Sequence, residues 1–466
     1  MNSIDELTGT HKPTPAERAE LGKSLREQAP RSAQADWTPS AERDDPVAII
    51  EGQNRDRVQE LIPIRRRRML ASPFAFYRAT AGVMAGDLSA TTSTGLYAQL
   101  SGDAHVSNFG MFASPERNLV FDLNDFDETL PGPWEWDLKR LAASVTIAAQ
   151  DRGFPAEAAQ RATIAAGLGY QEAMADFASR PVLENWYAHL SVADIAQLAT
   201  KKRRKSITKA SDKARSRTSQ QALKKYATEI DGKLRIRSQP PLVRPLRDLT
   251  AISPEEIRSG LTSSLASYRS SLTPDIAHLL AEYSLADVAL KVVGVGSVGT
   301  LCLISLWFGR DNDDPLFLQV KQANASALAE YLPPSPFDQP GERVVQGQRM
   351  IQAVSDIFLG WSEPAVAKRA YYWRQFRDWK GSVRLDKIGP TELGSYAKVC
   401  GWTLAHAHAR SSDPIAISAY LGSGSVYPRS LAAFGAAYAE QNALDYQEYQ
   451  SAVKTDHLEV APVESA

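Results

Sequence analysis

The chain has 466 residues, more than one ordinary domain needs, and its 43% apolar and 23% charged residues exclude a disordered polypeptide. The 53 Lys and Arg residues nearly cancel the 54 Asp and Glu residues, so net charge gives no argument for a nucleic acid or membrane partner. Cys302 and Cys400 cannot supply a disulfide framework or a four-thiolate zinc site, and no apolar run resembles a signal peptide or membrane span, so we expect a cytoplasmic protein.

The first half of the chain predicts a polar arm followed by helices. Residues 1–55 are polar and interrupted by prolines, which predicts a loosely attached arm. Residues 56–284 predict a large helical lobe, in which "FGMFA" and "NLVFDL" flank the turn "SPERN" as a hairpin. Residues 201–225 carry eleven Lys or Arg against one Asp. This composition predicts a mobile, solvated insert, with an anion-binding surface as the alternative.

The second half begins with strands. Residues 285–382 predict a small β lobe, because β-branched and aromatic residues alternate around a Gly-rich turn and the polar turn "GRDNDDP". Within this lobe "GERVVQGQRMIQAVS" has helical spacing, while "DIFLGW" and "AYYWRQFRDW" predict two more strands. Residues 383–455 predict a hinge and the remaining helices of the large lobe, including "SYAKVCGWTLAHAHARSS", before a polar tail at 456–466.

The Gly-rich turn lies between two predicted strands. Gly294, Gly296 and Gly299 form a G-x-G-x-x-G pattern. A dinucleotide fingerprint needs its third glycine to open a helix, whereas the β-branched and aromatic "TLCLISLWF" follows here. A glycine turn between strands can cover ATP phosphates with backbone N–H groups, and Ser297 belongs to this predicted flap. The alternative is a tight hairpin that binds no ligand.

Lys321 ends the next predicted strand, "LFLQVKQA", among apolar neighbours. A charge at such a position is costly unless it is paired, and a phosphate together with a helix carboxylate would pair it. Glu342 is the preferred partner because it opens the more regular helix, and Glu330 is the second candidate.

The segment "SGDAHVSNFGMFASPERNLVFDLNDFDE" is rich in carboxylates. Asp103 and Asn108 are five residues apart, and Asp125 follows the predicted hairpin. This is the order and spacing of a kinase catalytic loop and its metal-binding Asp. Asp103 would orient or deprotonate a hydroxyl, while Asn108 and Asp125 would hold Mg²⁺. Asp122 and Asp127 are further candidate metal ligands, and Asp122 could exchange roles with Asp125.

Two residues are predicted to support the loop, His105 and Asp137. Asp137 lies at the start of the predicted helix "WEWDLKRLAAS", where it could accept backbone hydrogen bonds from the loop or simply cap the helix. A His-based metal site lacks partners near His105. His406 and His408 are two residues apart on a predicted helix and therefore point to different faces.

These parts resemble the protein kinase-like superfamily, particularly its aminoglycoside and choline phosphotransferases. There the loop usually reads H-G-D-x-x-x-x-N, followed by I-D-[FW] and a helix that begins near D-L. This chain has "SGDAHVSN", "LNDFDE" and "WDLKRLA", with Ser101 where that family usually has His. The resemblance implies ATP and Mg²⁺ as cofactors and a two-lobed α+β fold, with a small antiparallel β lobe and a large helical lobe.

The order of the parts differs from that superfamily. In those kinases the Gly turn and lysine precede the loop, whereas here they follow it by nearly two hundred residues. The resemblance therefore implies a circularly permuted kinase-like fold. Permutation is readily tolerated when the termini lie at the surface and near each other.

The whole chain also resembles the bacterial domain-of-unknown-function family 2252, over about residues 45–450. The segments that carry this resemblance are "SPFAFYRATA", "GDAHVSNFG", "FDLNDFDE", "VGVGSVGT", "LFLQVKQA", "GERVVQGQRMIQ" and "AHAHARS". Arg78-Ala79 stands where that family usually shows Arg-Gly. The resemblance brings no established substrate.

Together these features predict an ATP- and Mg²⁺-dependent phosphotransferase that acts on a hydroxyl acceptor, a small molecule of unknown identity. The alternatives are a nucleotide-binding pseudokinase, an enzyme that transfers AMP, and a non-enzymatic scaffold whose acidic loop binds a metal for structure. The expected partners are a nucleotide and the acceptor, without a membrane or a nucleic acid.

Overall fold

The computed structural model describes residues 13–198, 201–249, 253–292, 298–363, 369–376, 378–455 and 457–462. Its helices in these ranges are α1 (Pro15–Gln28), α2 (Pro46–Asn54), α3 (Ile62–Met69), α4 (Pro73–Tyr77), α5 (Ala81–Ser89), α6 (Trp134–Asp151), α7 (Ala156–Ser179), α8 (Val182–Tyr187), α9 (Val192–Leu198), α10 (Lys201–Arg215), α11 (Ser219–Tyr226), α12 (Pro254–Ser270), α13 (Pro274–Ala281), α14 (Pro340–Ile351), α15 (Pro390–Ser411), α16 (Pro414–Leu421) and α17 (Val426–Thr455). Its strands are β1 (Tyr97–Leu100), β2 (Phe109–Ala113), β3 (Leu119–Leu123), β4 (Leu130–Pro133), β5 (Leu190–Ser191), β6 (Ala227–Ile230), β7 (Lys233–Ile236), β8 (Val243–Pro245), β9 (Ser284–Lys291), β10 (Cys302–Phe308), β11 (Pro315–Ala323), β12 (Gly360–Ser362), β13 (Ala370–Gln375) and β14 (Gly381–Ser382). The fold is mixed α+β with several small antiparallel sheets, which confirms the predicted class.

The largest described sheet has six antiparallel strands in the order β12-β13-β11-β10-β9-β8. Strands β9, β10 and β11 are antiparallel neighbours in both sequence and space, which confirms the strands predicted on either side of the Gly-rich turn and the polar turn. Helix α14 separates β11 from β12 in the chain, and β13 returns to pair with β11. Lys321 of β11 lies opposite Tyr372 of β13, so their side chains share one face of the sheet.

Both faces of this sheet are covered. Leu318 and Val320 of β11 belong to a buried cluster with Tyr268 of α12. Phe317, on the opposite face of the same strand, belongs to a cluster with Tyr226 of α11. Side chains alternate along a strand, so Lys321 projects from the same face as Phe317.

A second sheet carries the predicted hairpin and has the strand order β14-β2-β3-β5. Phe109 of β2 lies opposite Leu123 of β3, and Ala113 lies opposite Leu119, which confirms the hairpin. Strand β14 adds to the edge of β2 from a distant part of the chain. The loop before the hairpin and the acidic segment after it therefore lie at the same end of this sheet.

Helices α6, α7, α15 and α17 form the main helical core. Helices α7 and α15 approach so closely that a Cβ added at Gly401 would lie 2.1 Å from the carbonyl oxygen of Ala166. A Cβ added at Gly169 would lie 2.2 Å from the carbonyl oxygen of Lys398. In the part of the chain that the structure describes, no helix is long and apolar enough to cross a membrane.

The N-terminal arm is not loosely attached, which corrects the prediction for residues 1–55 over the described positions from 13 onward. Arg18 donates two hydrogen bonds to Asp413, both at 2.7 Å. Arg43 pairs with Asp87 of α5 at 2.6 Å. The polar composition was misleading because part of the attachment consists of arginine–carboxylate pairs.

The basic segment 201–225 is folded into helices over its described residues, where a mobile, solvated insert was expected. It forms most of α10 and α11, and Ala214 and Ala222 are buried. Between these helices, Arg217 donates a hydrogen bond to the carbonyl oxygen of Lys380 at 2.5 Å. Most of the charged residues described in this segment are exposed, and the small apolar residues between them anchor it.

The close contact between α7 and α15 gives a test of the helical core. Gly401→Ala should destabilise the protein by about 1–3 kcal/mol, because the added methyl forces two backbones apart. Gly394→Ala in the same helix is the matched control. Its Cβ would have its nearest neighbour at 3.7 Å, so the better helix propensity of Ala should leave stability equal or higher. Urea unfolding measures both, and equal stability of the two variants would contradict the packing described.

Candidate functional site

Asp137 holds the loop at residues 101–108 in place. Its two carboxylate oxygens accept hydrogen bonds from the backbone N–H groups of Ser101 at 2.7 Å and Gly102 at 3.0 Å. Asp137 does not cap the helix, because α6 begins at Trp134 and Asp137 is its fourth residue. From this first turn the carboxylate reaches the loop, where Gly102 has a positive φ of 80°.

Asp103 is held by an arginine from α6. Arg140 donates from Nε to Asp103 Oδ1 at 2.9 Å, and its Nη2 lies 2.8 Å from the same oxygen. The guanidinium also donates to the carbonyl oxygen of Tyr77 and lies 3.9 Å from the centre of that ring. The Asp103 side chain remains 21% exposed. One edge of the carboxylate is thus fixed, while part of it stays accessible.

His105 is a neutral neighbour of Asp103. Burial lowers its pKa well below the usual value, and the positive charges of Arg78 and Arg140 lower it further. The backbone N–H of Ser107 donates to Nδ1 at 3.2 Å, so the proton lies on Nε2. Nε2 faces Asp103 Oδ2 at 3.6 Å, so the ring supports the loop without adding charge.

Asn108 connects the loop to the acidic segment. Its side-chain amide nitrogen donates to the carbonyl oxygen of Asp103 at 2.8 Å. Its own carbonyl oxygen accepts from the backbone N–H of Asn124 at 3.0 Å. The amide oxygen of Asn108 is therefore the part of its side chain that could bind a metal.

Lys321 reaches Asp125 and Asp127 across the chain. Its Nζ lies 3.5 Å from Asp125 Oδ1 and 2.5 Å from Asp127 Oδ2. Tyr372 donates its hydroxyl to Asp127 Oδ1 at 2.7 Å, and Arg343 donates to the Asp127 carbonyl oxygen at 2.7 Å. The lysine side chain is only 2% exposed, whereas the two carboxylates are 31% and 28% exposed. A buried ammonium thus meets two partly accessible carboxylates.

The two carboxylates have different electrostatic roles. Burial opposes the charge of Lys321, but Asp125 and Asp127 outweigh burial and raise the pKa of the ammonium well above its usual value. Burial is likewise outweighed at Asp127, whose pKa is lowered by Lys321 and Tyr372. The pKa of Asp125 is raised by burial and by the negative charge of Asp127. Asp127 is therefore the ion-pair partner, and Asp125 is the carboxylate that a bound cation would stabilise most.

Asp122 lies apart from this group. It is buried in β3, where burial raises the pKa of its carboxyl to about 7 despite a hydrogen bond from the Leu123 N–H and the positive charge of Arg410. Its position on the strand separates it from the acidic residues that meet Lys321. The structure therefore does not bring Asp122 together with Asp125 and Asp127 around that lysine.

Glu342 and Glu330 do not pair with Lys321 within the described residues. Glu342 lies in the first turn of α14, where its charge favours the helix N-terminus, and it accepts from Gln346 at 3.5 Å. Glu330 is exposed in a turn where a helix was expected. Asp127 takes the position that the prediction gave to a helix carboxylate.

The predicted glycine flap is only partly described. Gly294, Gly296 and Ser297 lie outside the described residues. Gly299, at the end of the turn, has a φ of 90°, and a Cβ there would lie 2.9 Å from the Cβ of Arg57. This glycine is required by both its backbone conformation and its neighbour.

The loop, the acidic segment and the lysine all fall within the range of one family model. That model, described as an uncharacterized protein conserved in bacteria (DUF2252), matches residues 57–452. The chain belongs to the DUF2252 family. This confirms the membership that the sequence segments predicted. No curated protein and no solved structure matches this DUF2252 chain.

The sequence did not predict three residues of the DUF2252 site, namely Arg140, Tyr372 and Arg374. Arg140 follows Asp137 by three positions on α6, so helical spacing could have placed both toward the loop. Tyr372 and Arg374 alternate on β13 and share one face, but their contacts depend on the pairing of β13 with β11. Arg374 donates to the carbonyl oxygen of Asn124 at 3.1 Å, directly before Asp125.

The site offers oxygen groups of the type that Mg²⁺ prefers. Among the described residues, no group of three or more His, Cys, Asp or Glu side chains could hold a metal ion. Mg²⁺ commonly binds one or two carboxylates together with waters and substrate phosphates, so it does not require such a cage. The Asp125 carboxylate and the Asn108 amide oxygen are oxygen groups of the kind that bind Mg²⁺ in this way.

Asp122 gives a pH test of the DUF2252 structure. Its folded-state pKa of about 7 exceeds that of an unfolded carboxyl, so its charge destabilises the fold progressively as pH rises from about 4 to 7. Asp122→Asn keeps the Oδ1 acceptor and should raise the free energy of unfolding by about 2–4 kcal/mol at pH 8, with little effect at pH 4. Urea unfolding at both values measures this.

The exposed Glu116 of the hairpin turn supplies the matched control for this measurement. Glu116→Gln should change stability little at either pH. A gain from Asp122→Asn that is equal at pH 4 and pH 8 would contradict the burial of a raised-pKa carboxyl at this position.

Proposed function

We propose that this DUF2252 member is an ATP- and Mg²⁺-dependent phosphotransferase on a circularly permuted kinase-like fold. Its acceptor would be a hydroxyl group of a small molecule in the cytoplasm. The observation that carries the proposal is the contact of Lys321 with Asp125 and Asp127, because it joins the predicted phosphate-binding lysine to the predicted metal-binding segment.

The order of elements around Lys321 supports the proposal. In protein kinases a Gly-rich loop covers the phosphates, the lysine lies on the third strand, and a helix with a glutamate follows. Here β9 and β10 flank the Gly-rich turn, β11 carries Lys321 as the third strand, and α14 follows with Glu342 in its first turn. The sequence pattern and the sheet order thus agree.

Contacts between the two ends of the chain support permutation. Tyr396 of α15 donates its hydroxyl to the carbonyl oxygens of Val106 and Phe109, at 3.0 and 3.1 Å. His408 of the same helix lies 3.5 Å from Asp137. The helix that would lead into the loop in the ordinary kinase order therefore packs on the loop from the other end of this chain.

The proposed roles follow from these positions. Asp103, with one edge fixed by Arg140, would orient and deprotonate the acceptor hydroxyl. Lys321 and the glycine flap would bind phosphate oxygens. Asn108 and Asp125 would hold Mg²⁺, which when bound neutralises charge on the phosphates.

Asp103→Asn tests the catalytic role. Turnover should fall by about 100–10,000-fold, because a general base is lost, while Mg-ATP binding should change by less than about threefold. Transfer of label from γ-labelled ATP into a pool of hydroxyl compounds measures turnover, and a thermal shift measures binding. Ser107→Ala, in the same loop, is the matched control and should keep both.

Other outcomes of this experiment separate the alternatives. Equal loss of binding and turnover in Asp103→Asn would contradict the role of Asp103. Binding by the wild type without turnover would favour a pseudokinase, and label transferred from the α-phosphate would favour AMP transfer. If Mg-ATP gives the wild type no thermal shift, a metal-binding scaffold is favoured instead.

Paired substitutions test the metal ligands. Asp125→Asn should raise the Mg²⁺ concentration needed for half-maximal ATP binding at least about tenfold, because it removes a carboxylate ligand. Asp122→Asn should leave that dependence unchanged, because Asp122 lies apart in β3. Titration of Mg²⁺ at fixed ATP, followed by calorimetry, measures both. The reverse pattern would assign the metal to Asp122 instead.

A further inference from the structure

Arg78 follows the last residue of α4 and is fixed to the structure that positions Asp103. The preceding residue, Tyr77, accepts from Arg140 through its carbonyl oxygen at 2.8 Å, and Arg140 binds the Asp103 carboxylate. The backbone N–H of Arg78 donates to the carbonyl oxygen of Phe74 at 3.3 Å. The backbone from which the Arg78 side chain projects is therefore held in place next to the loop at residues 101–108.

The guanidinium of Arg78 has no partner in the part of the chain that the structure describes. It makes no hydrogen bond, ion pair or aromatic contact there. The residue is half-buried and its Nε is fully buried, so Nη1 and Nη2 are the groups that a ligand can reach. A guanidinium keeps its charge and carries five N–H donors, which are costly to remove from water without acceptors. An anion that accepts from the Nη groups would therefore be favoured.

Two carboxylates lie near Arg78 without forming an ion pair with it. Burial lowers the pKa of Arg78, and the negative charges of Asp103 and Asp125 partly oppose that effect. Asp103 pairs with Arg140 instead, and Asp125 lies against Lys321. The side chains of the two carboxylates remain 21% and 31% exposed. Arg78 therefore lies close to the loop and to the acidic segment without direct contact with either carboxylate.

This arrangement of charges favours one kind of anion. Two carboxylates would repel a lone anion, so the anion that fits is one bound together with a divalent cation, such as the terminal phosphate of Mg-ATP. In the proposed reaction this phosphate lies between the carboxylate of Asp103 and that of Asp125. A guanidinium can bind two phosphate oxygens at once, and it stabilises the charge on a phosphoryl group during transfer.

We propose that Arg78 is a catalytic residue that binds the terminal phosphate of ATP during its transfer. This inference rests on the proposed function, since it assigns a residue to the same reaction. In the transfer step the acceptor oxygen bonds to the terminal phosphorus, and the acceptor proton passes to Asp103. The bond to the bridging oxygen breaks, and its electron pair leaves on ADP. The Nη groups of Arg78 donate to oxygens of the phosphoryl group throughout this step.

Calorimetry on the full chain with the Mg²⁺ complexes of ADP and of a non-hydrolysable ATP analogue tests this role. Arg78→Met should weaken binding of the analogue at least about tenfold, because it removes charge-assisted hydrogen bonds to the terminal phosphate. It should change ADP binding by less than about threefold, because ADP lacks that phosphate. Transfer of label from γ-labelled ATP should fall at least about 100-fold.

Arg117→Met is the matched control. Arg117 lies in the turn of the β2–β3 hairpin, and its guanidinium pairs with Asp378 at 2.8 and 3.0 Å. This substitution also removes an arginine, but it should leave both affinities and the transfer of label unchanged.

Thermal unfolding without nucleotide separates this role from a structural one. Because the Arg78 guanidinium has no partner among the described residues, Arg78→Met should leave the unfolding temperature equal or raise it. A lower unfolding temperature together with equal losses of ADP and analogue binding would contradict the proposal, since that pattern is expected of a structural arginine.

The binding measurements also separate failure of this inference from failure of the proposed function. If the wild type binds both nucleotides and Arg78→Met keeps wild-type affinity for the analogue, this inference is wrong while the proposed function stands. If the wild type binds neither nucleotide, both are wrong. Should Arg78→Met not fold, Arg78→Lys is the second variant, because it keeps the charge but loses the forked donors. Unchanged analogue binding and label transfer in Arg78→Lys would also contradict the role of Arg78.

Discussion

The buried ammonium of Lys321 is the constraint around which the candidate site is organised. Lys321 can remain charged in the interior only because Asp125 and Asp127 lie within 3.5 and 2.5 Å of it. Removing one partner of a buried pair commonly costs about 3–5 kcal/mol, and the partly exposed carboxylates reduce that figure here. The pair fixes β11 against the acidic segment, so the six-stranded sheet and the hairpin sheet meet at this point.

Contacts from helices α6 and α15 keep the loop at residues 101–108 in position. Asp137 binds the loop backbone, and Arg140, one helical turn further along α6, binds the Asp103 carboxylate. Tyr396 of α15 holds the loop from a segment nearly three hundred residues later. These contacts make the loop part of the helical core instead of a free surface segment, which a residue that must orient a hydroxyl requires.

Features that depend on neighbouring residues were predictable from the sequence, whereas features that depend on contacts between distant residues were not. The hairpin from Phe109 to Leu123 and the strands around Lys321 were predictable, because alternation of side chains is a property of neighbouring residues. The spacing of Asp103, Asn108 and Asp125 selected the segments that the structure places together. The partner of Lys321 was not predictable, because the contact between Lys321 and Asp127 depends on how the two sheets pack against each other. The polar arm was misjudged for the same reason, since its ion pairs join residues far apart in sequence.

A crystal structure with Mg²⁺ and a non-hydrolysable ATP analogue would show directly whether Lys321, Asp125 and Asn108 form one nucleotide site. We expect the metal to bind Asp125 and Asn108, and the Lys321 ammonium to contact a phosphate oxygen. A nucleotide bound away from Lys321, or no nucleotide in the cleft at saturating concentration, would contradict the assignment of this site to phosphoryl transfer.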